Sequence, residues 1–347
     1  MSRDLCRIAC ALLVPLAACS AGQPARPIEL SGPTMGASWT VKIAPGPQGM
    51  SSEERSGIDR TIRDTLTRIE SLLSTWDPDS ELSRFNRSSG SDPFPVAAET
   101  FDVFRWAVTL DEETGGALDV TVAPIVEAWG FGPAAGPTRS GPDPNELAHL
   151  LESTGTRHLQ LDPGGRWVRK LRPGVRCDFS ALAPGYAADR LASMLVERGI
   201  GGFLVDVGGE LVARGRNAEG EPWQVAIERP ADRKRRVAAR VLPLQDAAIA
   251  TSGDYRNYRE VNGKRVTHIV DPRTGRPVSH RLASVTVVDS LCVRADALAT
   301  ALMVLGPEQG MELARRLDLA VLFMVRSSTG GFDDRTTPRF DALTRTE

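Results

Sequence analysis

Phe203-Leu204-Val205-Asp206-Val207-Gly208-Gly209-Glu210-Leu211-Val212-Ala213-Arg214 reads as a strand that two glycines interrupt and that resumes at once. Paired glycines inside such a pattern mark a tight hairpin, a bulge or a place where a ligand approaches the backbone; a simple hairpin explains this stretch well. Further short runs rich in Val, Leu and Ile follow at 223–228, 239–244, 283–288 and 320–325, and one precedes at 38–43. Helical periods lie among them. Over 52–74, Ile58, Ile62, Leu66, Ile69 and Leu73 recur at three- and four-residue spacing behind a capping box of Ser51 and Glu54. Over 99–113, Phe101, Phe104 and Val108 share a stripe that ends at Gly115-Gly116. Another helix opens at Pro184 and stops at Gly199, and two more occupy 295–305 and 307–317. Residues 133–144 form a loop rich in Gly and Pro, with a short helix after it. Strands and helices do not alternate strictly, which argues against a doubly wound parallel sheet. The pattern predicts an α+β fold, one compact unit of two lobes with mixed or antiparallel sheets flanked by helices. Residues 331–347 read as a polar tail.

Of the 347 residues 41% are hydrophobic, enough for one large core or two modest ones. The formal net charge is −2, with 25% charged residues of both signs, so no basic excess calls for nucleic acid. The basic run Arg233-Lys234-Arg235-Arg236 sits between two strand-like segments and reads as a solvated hairpin turn. At the N-terminus, Arg3 and Arg7 precede an apolar run from Ile8 to Ala18 that is too short to span a bilayer. Residues 1–18 read as a secretory signal. Leu16-Ala17-Ala18-Cys19 resembles a bacterial lipobox, whose Cys becomes the acylated first residue of the mature chain, and 19–30 read as a tether. An ordinary signal peptide with an incidental Cys is the plainer alternative; small residues before Cys19 and a Pro-containing segment after it favour the lipoprotein. The expectation is an exported protein, lipid-anchored to a bacterial membrane and facing the periplasm. Cys177 and Cys292 remain in the mature chain, and two buried free thiols are expected in preference to a disulfide.

Four stretches carry more polar detail than packing needs. In Asp178-Phe179-Ser180-Ala181-Leu182-Ala183-Pro184-Gly185-Tyr186 a strand end turns into a helix. Free N–H groups at such a terminus suit phosphate or pyrophosphate; a side-chain cap by Asp178 is the competing reading. The Gly208-Gly209 pair is the second. The third runs from Thr251-Ser252-Gly253-Asp254 to Thr267-His268-Ile269-Val270-Asp271. His268 is one of four histidines and is a candidate general base, because imidazole titrates near neutral pH. His149 and His158 are assigned to ordinary buried, satisfied positions, and His280 to a loop. The fourth, Asp296-Ala297-Leu298-Ala299-Thr300, puts a carboxylate and a hydroxyl one helical turn apart. That is hard-oxygen ligation of the kind Mg²⁺ takes; a dipole-complementing Asp and a back-bonding Thr explain the segment alone equally well.

Taken together and in this order, these segments resemble the ApbE family of FAD:protein FMN transferases over about residues 32–325. Thr34-Met35-Gly36, Ser74-Thr75-Trp76-Asp77-Pro78, Gly116-Ala117-Leu118-Asp119-Val120-Thr121, Val207-Gly208-Gly209-Glu210, Thr251-Ser252-Gly253-Asp254-Tyr255-Arg256-Asn257, Thr267-His268-Ile269-Val270-Asp271-Pro272 and Ala295-Asp296-Ala297-Leu298-Ala299-Thr300 carry the likeness. The resemblance implies one domain over 31–330 that binds FAD with Mg²⁺ and transfers the FMN half to a Thr or Ser hydroxyl of an acceptor protein. The acceptor class would be a membrane redox subunit, and AMP would leave. By motif position Met35, Trp76, Ala117, Leu118, Asp119, Asp178 and Ile269 would line the flavin site, with Pro184, Ser252 and Gly253 also on the nucleotide. The cation would sit between Asp296, Thr300 and the backbone carbonyl of Ala181, and His268 would help deprotonate the acceptor hydroxyl. Pro184 departs from the Lys or Glu common there, which removes a polar contact and an N–H. The rival activities are FAD pyrophosphatase, with water as acceptor, and a non-catalytic FAD-binding lipoprotein.

Overall fold

The 203–214 stretch is a hairpin. Phe203–Val207 and Glu210–Arg214 pair antiparallel with Val207 opposite Glu210, which leaves Gly208-Gly209 as a two-residue turn. The hairpin lies inside an eight-stranded sheet in the computed structural model, which describes residues 27–46, 49–89, 91–133, 141–230, 237–255, 258–261 and 264–344. Across this sheet the strands run Ile28–Thr34, Ala37–Ile43, Phe203–Val207, Glu210–Arg214, Ala247–Gly253, Leu282–Asp289, Ala320–Arg326 and Phe332–Thr336, and every neighbouring pair is antiparallel. The period-two pattern sorts the side chains. Phe203, Val205 and Val207 enter the main core, while Leu204 and Leu211 pack on the opposite face.

Among the described residues eight α-helices accompany the sheets: α1 Ser52–Leu73, α2 Glu81–Arg87, α3 Ala98–Thr114, α4 Ala123–Ala128, α5 Pro144–Glu152, α6 Ala183–Glu197, α7 Cys292–Arg316 and α8 Pro338–Thr344. The apolar stripes of α1, α3, α6 and α7 build the main core on one face of the sheet. The capping box of Ser51 and Glu54 starts α1, and Gly115 ends α3 in a left-handed conformation. On the other face, the hairpin Trp223–Glu228 and Ala238–Leu244 together with α8 closes a second core around Trp223, Leu242 and Phe340. A third, small cluster joins Ile125, Leu147 and Val270. The architecture is α+β.

Several expectations change, among them that of a buried His149, which is exposed. Residues after 330 are not a tail: Phe332–Thr336 adds an edge strand beside Ala320–Arg326, and α8 buries Phe340 completely. The segment hides this role because its strand, Phe-Asp-Asp-Arg-Thr, is an exposed, charged edge, as edges should be. Its one strong apolar anchor contributes about 1.5–3 kcal/mol. The tether is shorter than 19–30, because Ile28–Thr34 is already a strand and Leu30 is buried; residues 1–26, with the signal and Cys19, lie outside the described residues, as does the 231–236 basic run. Ala247–Gly253 is a central strand that its polar residues concealed. Cys177 and Cys292 are free, buried thiols, as expected. His149 is exposed on α5, 4.0 Å from Glu152.

His280 also has a structural task. Gly306 breaks α7 with φ of +77°, and Pro307 follows inside the helix. Proline has no N–H, so the carbonyl four residues earlier, that of Met303, loses its helical donor. The His280 ring replaces it, with Nε2 2.8 Å from the Met303 carbonyl oxygen. A Cβ on residue 306 would stand 2.7 Å from the same ring, so glycine is required twice over. His280→Ala should strip a buried carbonyl of its partner and lower stability by about 1–3 kcal/mol. Urea unfolding reads this as a lower midpoint at constant slope; an unchanged midpoint would show that the ring bond contributes nothing.

Candidate active site

The crossing of α6 and α7 holds the fourth sequence stretch against the first. Gly185, in the first turn of α6, donates its N–H to Asp296 Oδ2 at 3.1 Å. A Cβ on residue 185 would lie 2.6 Å from the Cys292 carbonyl oxygen and 2.9 Å from Asp296 Cβ, so only glycine allows the approach. One turn further along α7, the Thr300 hydroxyl lies 2.9 Å from Ser252 Oγ on the strand Ala247–Gly253. Asp296, Thr300 and Ser252 therefore meet from two distant parts of the chain.

These groups suit a hard divalent cation. Asp296 is 6% exposed, and among the described residues no cationic side chain pairs with it. Burial, reinforced by Asp189, pushes its carboxyl well above the ordinary range, against the Gly185 bond. A buried carboxylate without a counter-charge is costly, and a divalent ion removes that cost. The remaining donors are oxygens: the hydroxyls of Thr300 and Ser252, and the carbonyl of Ala181, to which no described backbone N–H donates. No group of three His, Cys, Asp or Glu side chains comes together among the described residues. A cation here would thus rely on hydroxyl, carbonyl and substrate oxygens, as Mg²⁺ commonly does.

The helix terminus itself is not the anion cradle expected. Leu182 and Ala183 both give their N–H to the Phe179 carbonyl, Pro184 has none, Gly185 is taken by Asp296, and Tyr186 bonds to the Leu182 carbonyl. Ser180 N–H turns to Asp178 Oδ1 at 2.9 Å. Nor is Asp178 the cap of α6, which begins after Leu182 with no side-chain acceptor. The tight 178–182 turn has used these donors before any ligand arrives. Pro184 lies partly buried in the first turn of α6.

The other expected residues fall around neighbouring recesses. Trp76 is 68% exposed, more than any other large apolar side chain described, and shares a cavity of about 290 Å³ with Asp178, Asn86, Arg87 and Arg176. The Asp178 N–H bonds to the Val120 carbonyl at 2.7 Å, which brings the 117–121 segment alongside. Ala117 and Leu118 are buried, and Asp119 accepts the N–H and hydroxyl of Thr121 at 2.8 and 2.6 Å. Burial raises the Asp119 carboxyl. Asp119 also lines a second recess with Gly116, Thr156, Pro272 and Arg273, so Gly116 and Asp119 face the Pro272-Arg273 turn. His268 is partly buried with its ring 6.3 Å from that of Phe131, Ile269 is in the main core, and Val270–Asp271 packs on α7. Gly253 lines a third groove with Gly36 and Gly208-Gly209. Arg256 and Asn257 lie outside the described residues.

Met35 stands at a strained turn. With Thr34 opposite Ala37, Met35-Gly36 is a two-residue hairpin loop with φ of +48° and +70°. Such loops favour Asn-Gly or Gly-Gly; methionine at positive φ is an outlier that the surroundings must hold. Glu70 of α1 does so, accepting the Met35 N–H at 3.0 Å. Glu70 and Gly185, whose hydrogen bonds hold Met35 and Asp296, are residues whose part in these contacts reading the sequence did not single out. The i, i+4 spacing of Gly185 and Asp189, matched by that of Cys292, Asp296 and Thr300, was the available signal.

The ApbE family model matches residues 35–323. An FAD:protein FMN transferase of Vibrio cholerae is 43% identical over 324 residues, 93% of this chain and 94% of that protein. One of Klebsiella pneumoniae is 40% identical over 327 residues, 92% of this chain and 91% of that protein. Among solved structures, the flavin transferase ApbE from Vibrio cholerae superposes with a TM-score of 0.82 at 40% identity, covering 92% of this chain and all of that one. The apo flavinyl transferase ApbE of Pseudomonas stutzeri gives 0.82 at 36%, covering 92% and 96%. On the match of fold, motifs and overall length, the chain belongs to the ApbE family.

Proposed function

We propose that this chain transfers the FMN half of FAD to a Thr or Ser hydroxyl of another protein, forming a phosphoester and releasing AMP, with Mg²⁺ at Asp296 and Thr300. The observation that carries the reading is the buried Asp296, which has a backbone N–H on one oxygen and, among the described residues, no cationic side chain paired with it. The acceptor class we favour is a membrane redox subunit.

The reaction is displacement at a diphosphate. The acceptor oxygen bonds to the FMN-side phosphorus, the bond from that phosphorus to the AMP oxygen breaks, and the acceptor proton goes to His268. Bound Mg²⁺ supplies electrostatic stabilisation of the charge that develops on the phosphate oxygens. The chain's own residues orient the reactants. Trp76 offers an exposed aromatic face on which an isoalloxazine can stack. Gly185 N–H fixes one oxygen of Asp296 and aims the other. His268, placed on a segment that packs against α7, holds the abstracted proton.

Incubation with FAD, MgCl₂ and an acceptor domain, followed by mass spectrometry, tests this. Asp296→Ala should abolish attachment and its dependence on divalent cation. His268→Ala should keep FAD binding, read by flavin fluorescence, and slow transfer by about 10²–10⁴-fold. Full activity of Asp296→Ala contradicts the cation site, and loss of FAD binding in His268→Ala makes that residue structural. Free FMN from wild-type protein, with no attached product, assigns the pyrophosphatase reaction instead.

We also propose that the protein is exported and held at a bacterial membrane through lipidated Cys19. No helix among the described residues is long and apolar enough to cross a membrane, so on this reading the anchor is the acylated Cys. Cys19→Ala should move the protein from the membrane to the soluble fraction; retention in the membrane fraction would contradict lipid anchoring.

A further inference from the structure

We infer that Asp189 is a positioning residue for the cation site, locking the first turn of α7 onto α6 so that Asp296 meets Gly185; the inference rests on the Mg²⁺ site proposed above. The residue at the start of α7 is Leu291, in extended conformation and with no side chain to accept from the helix. The cap comes from another element. Asp189 of α6 accepts the N–H of Cys292 on Oδ1 and that of Val293 on Oδ2, both at 2.9 Å. A carboxylate receiving two first-turn N–H groups completes donors that would otherwise be orphaned and complements the helix dipole.

The placement of this cap does more than end a helix. Gly185 and Asp189 are one turn apart on one face of α6, and Cys292 and Asp296 are one turn apart on one face of α7. Gly185 holds Asp296, and Asp189 holds Cys292 and Val293. The helices are therefore tied at two points, which prevents α7 from sliding along α6 or turning about its axis. The missing Cβ at Gly185 lets the two backbones come close enough for both ties. A cap belonging to α7 itself would stabilise that helix equally but leave its register on α6 free. Register is what sets Asp296 against Gly185 and Thr300 against Ser252.

Two variants separate these roles. Asp189→Ala should weaken Mn²⁺ binding to the full chain, read by electron paramagnetic resonance of the free ion, by about 10–100-fold, the usual cost of losing a group that orients a metal ligand. It should also lower the urea midpoint. Adding Leu291→Asp to that variant gives α7 a cap of its own. The midpoint should then recover while Mn²⁺ affinity stays low. Recovery of both overturns the inference, leaving Asp189 a helix cap only, and so does wild-type Mn²⁺ affinity in Asp189→Ala. Should Asp189→Ala fail to fold, Asp189→Asn, which keeps one acceptor oxygen, carries the same comparison. If Asp296→Ala binds Mn²⁺ as tightly as wild type, the cation site itself is wrong, a failure separable from the others because it appears with Asp189 intact.

Discussion

A backbone N–H of one helix directed at the carboxylate of another, Gly185 to Asp296 across 3.1 Å, is the contact around which the candidate site is arranged. It requires two helices to approach within the reach of a single missing methyl group. It also leaves a buried acid with one oxygen engaged and, among the described residues, no cationic side chain paired with it. Each half of that arrangement is unfavourable alone, since glycine weakens a helix start and a buried carboxylate resists ionisation. A cation makes the second half favourable, and the crossing makes the first half necessary.

The rest of the fold holds this crossing in place. The eight-stranded sheet supports α6 and α7 on one face through a continuous apolar core, and its strand Ala247–Gly253 delivers Ser252 to Thr300. Arg294 fixes the start of α7 from the other side, pairing with Asp289 at 2.7 Å and with Glu113 of α3 at 2.8 Å. Just after the strand Ala247–Gly253, Asp254 pairs with Arg326 at the end of Ala320–Arg326. Further along, the Gly306 kink, with His280 on the Met303 carbonyl, lets α7 bend while its first half keeps its register. Met35 is held similarly, with Glu70 accepting its N–H in a backbone conformation that methionine would not choose.

Much of this was legible in the amino-acid order. The 203–214 hairpin, the stripe of α1 with its capping box, and the split of α7 near Gly306 all follow from local period and local breakers, and each is present. The short polar segments offered Asp296, Thr300 and His268 as candidates through their residue types, and the family resemblance added Trp76. What escaped was tertiary. Nothing local says that the N–H groups of Leu182, Ala183, Gly185 and Tyr186 are taken by Phe179, Asp296 and Leu182, and so a helix start that looks ready for phosphate keeps few of its donors for one. Nor does local sequence say that α7 is capped from α6, or that Asp-Asp-Arg after Phe332 is a sheet edge. In each case a distant partner decides the role of a residue whose own type is ambiguous.

The most direct measurement is anomalous scattering from a crystal of the chain soaked with Mn²⁺ and FAD. The account requires a peak bonded to the Asp296 carboxylate, close to 2.1 Å as for a hard divalent ion on oxygen, with Thr300, the Ala181 carbonyl and diphosphate oxygens around it. A peak on other residues, or a diphosphate bound with no ion at Asp296, would contradict it.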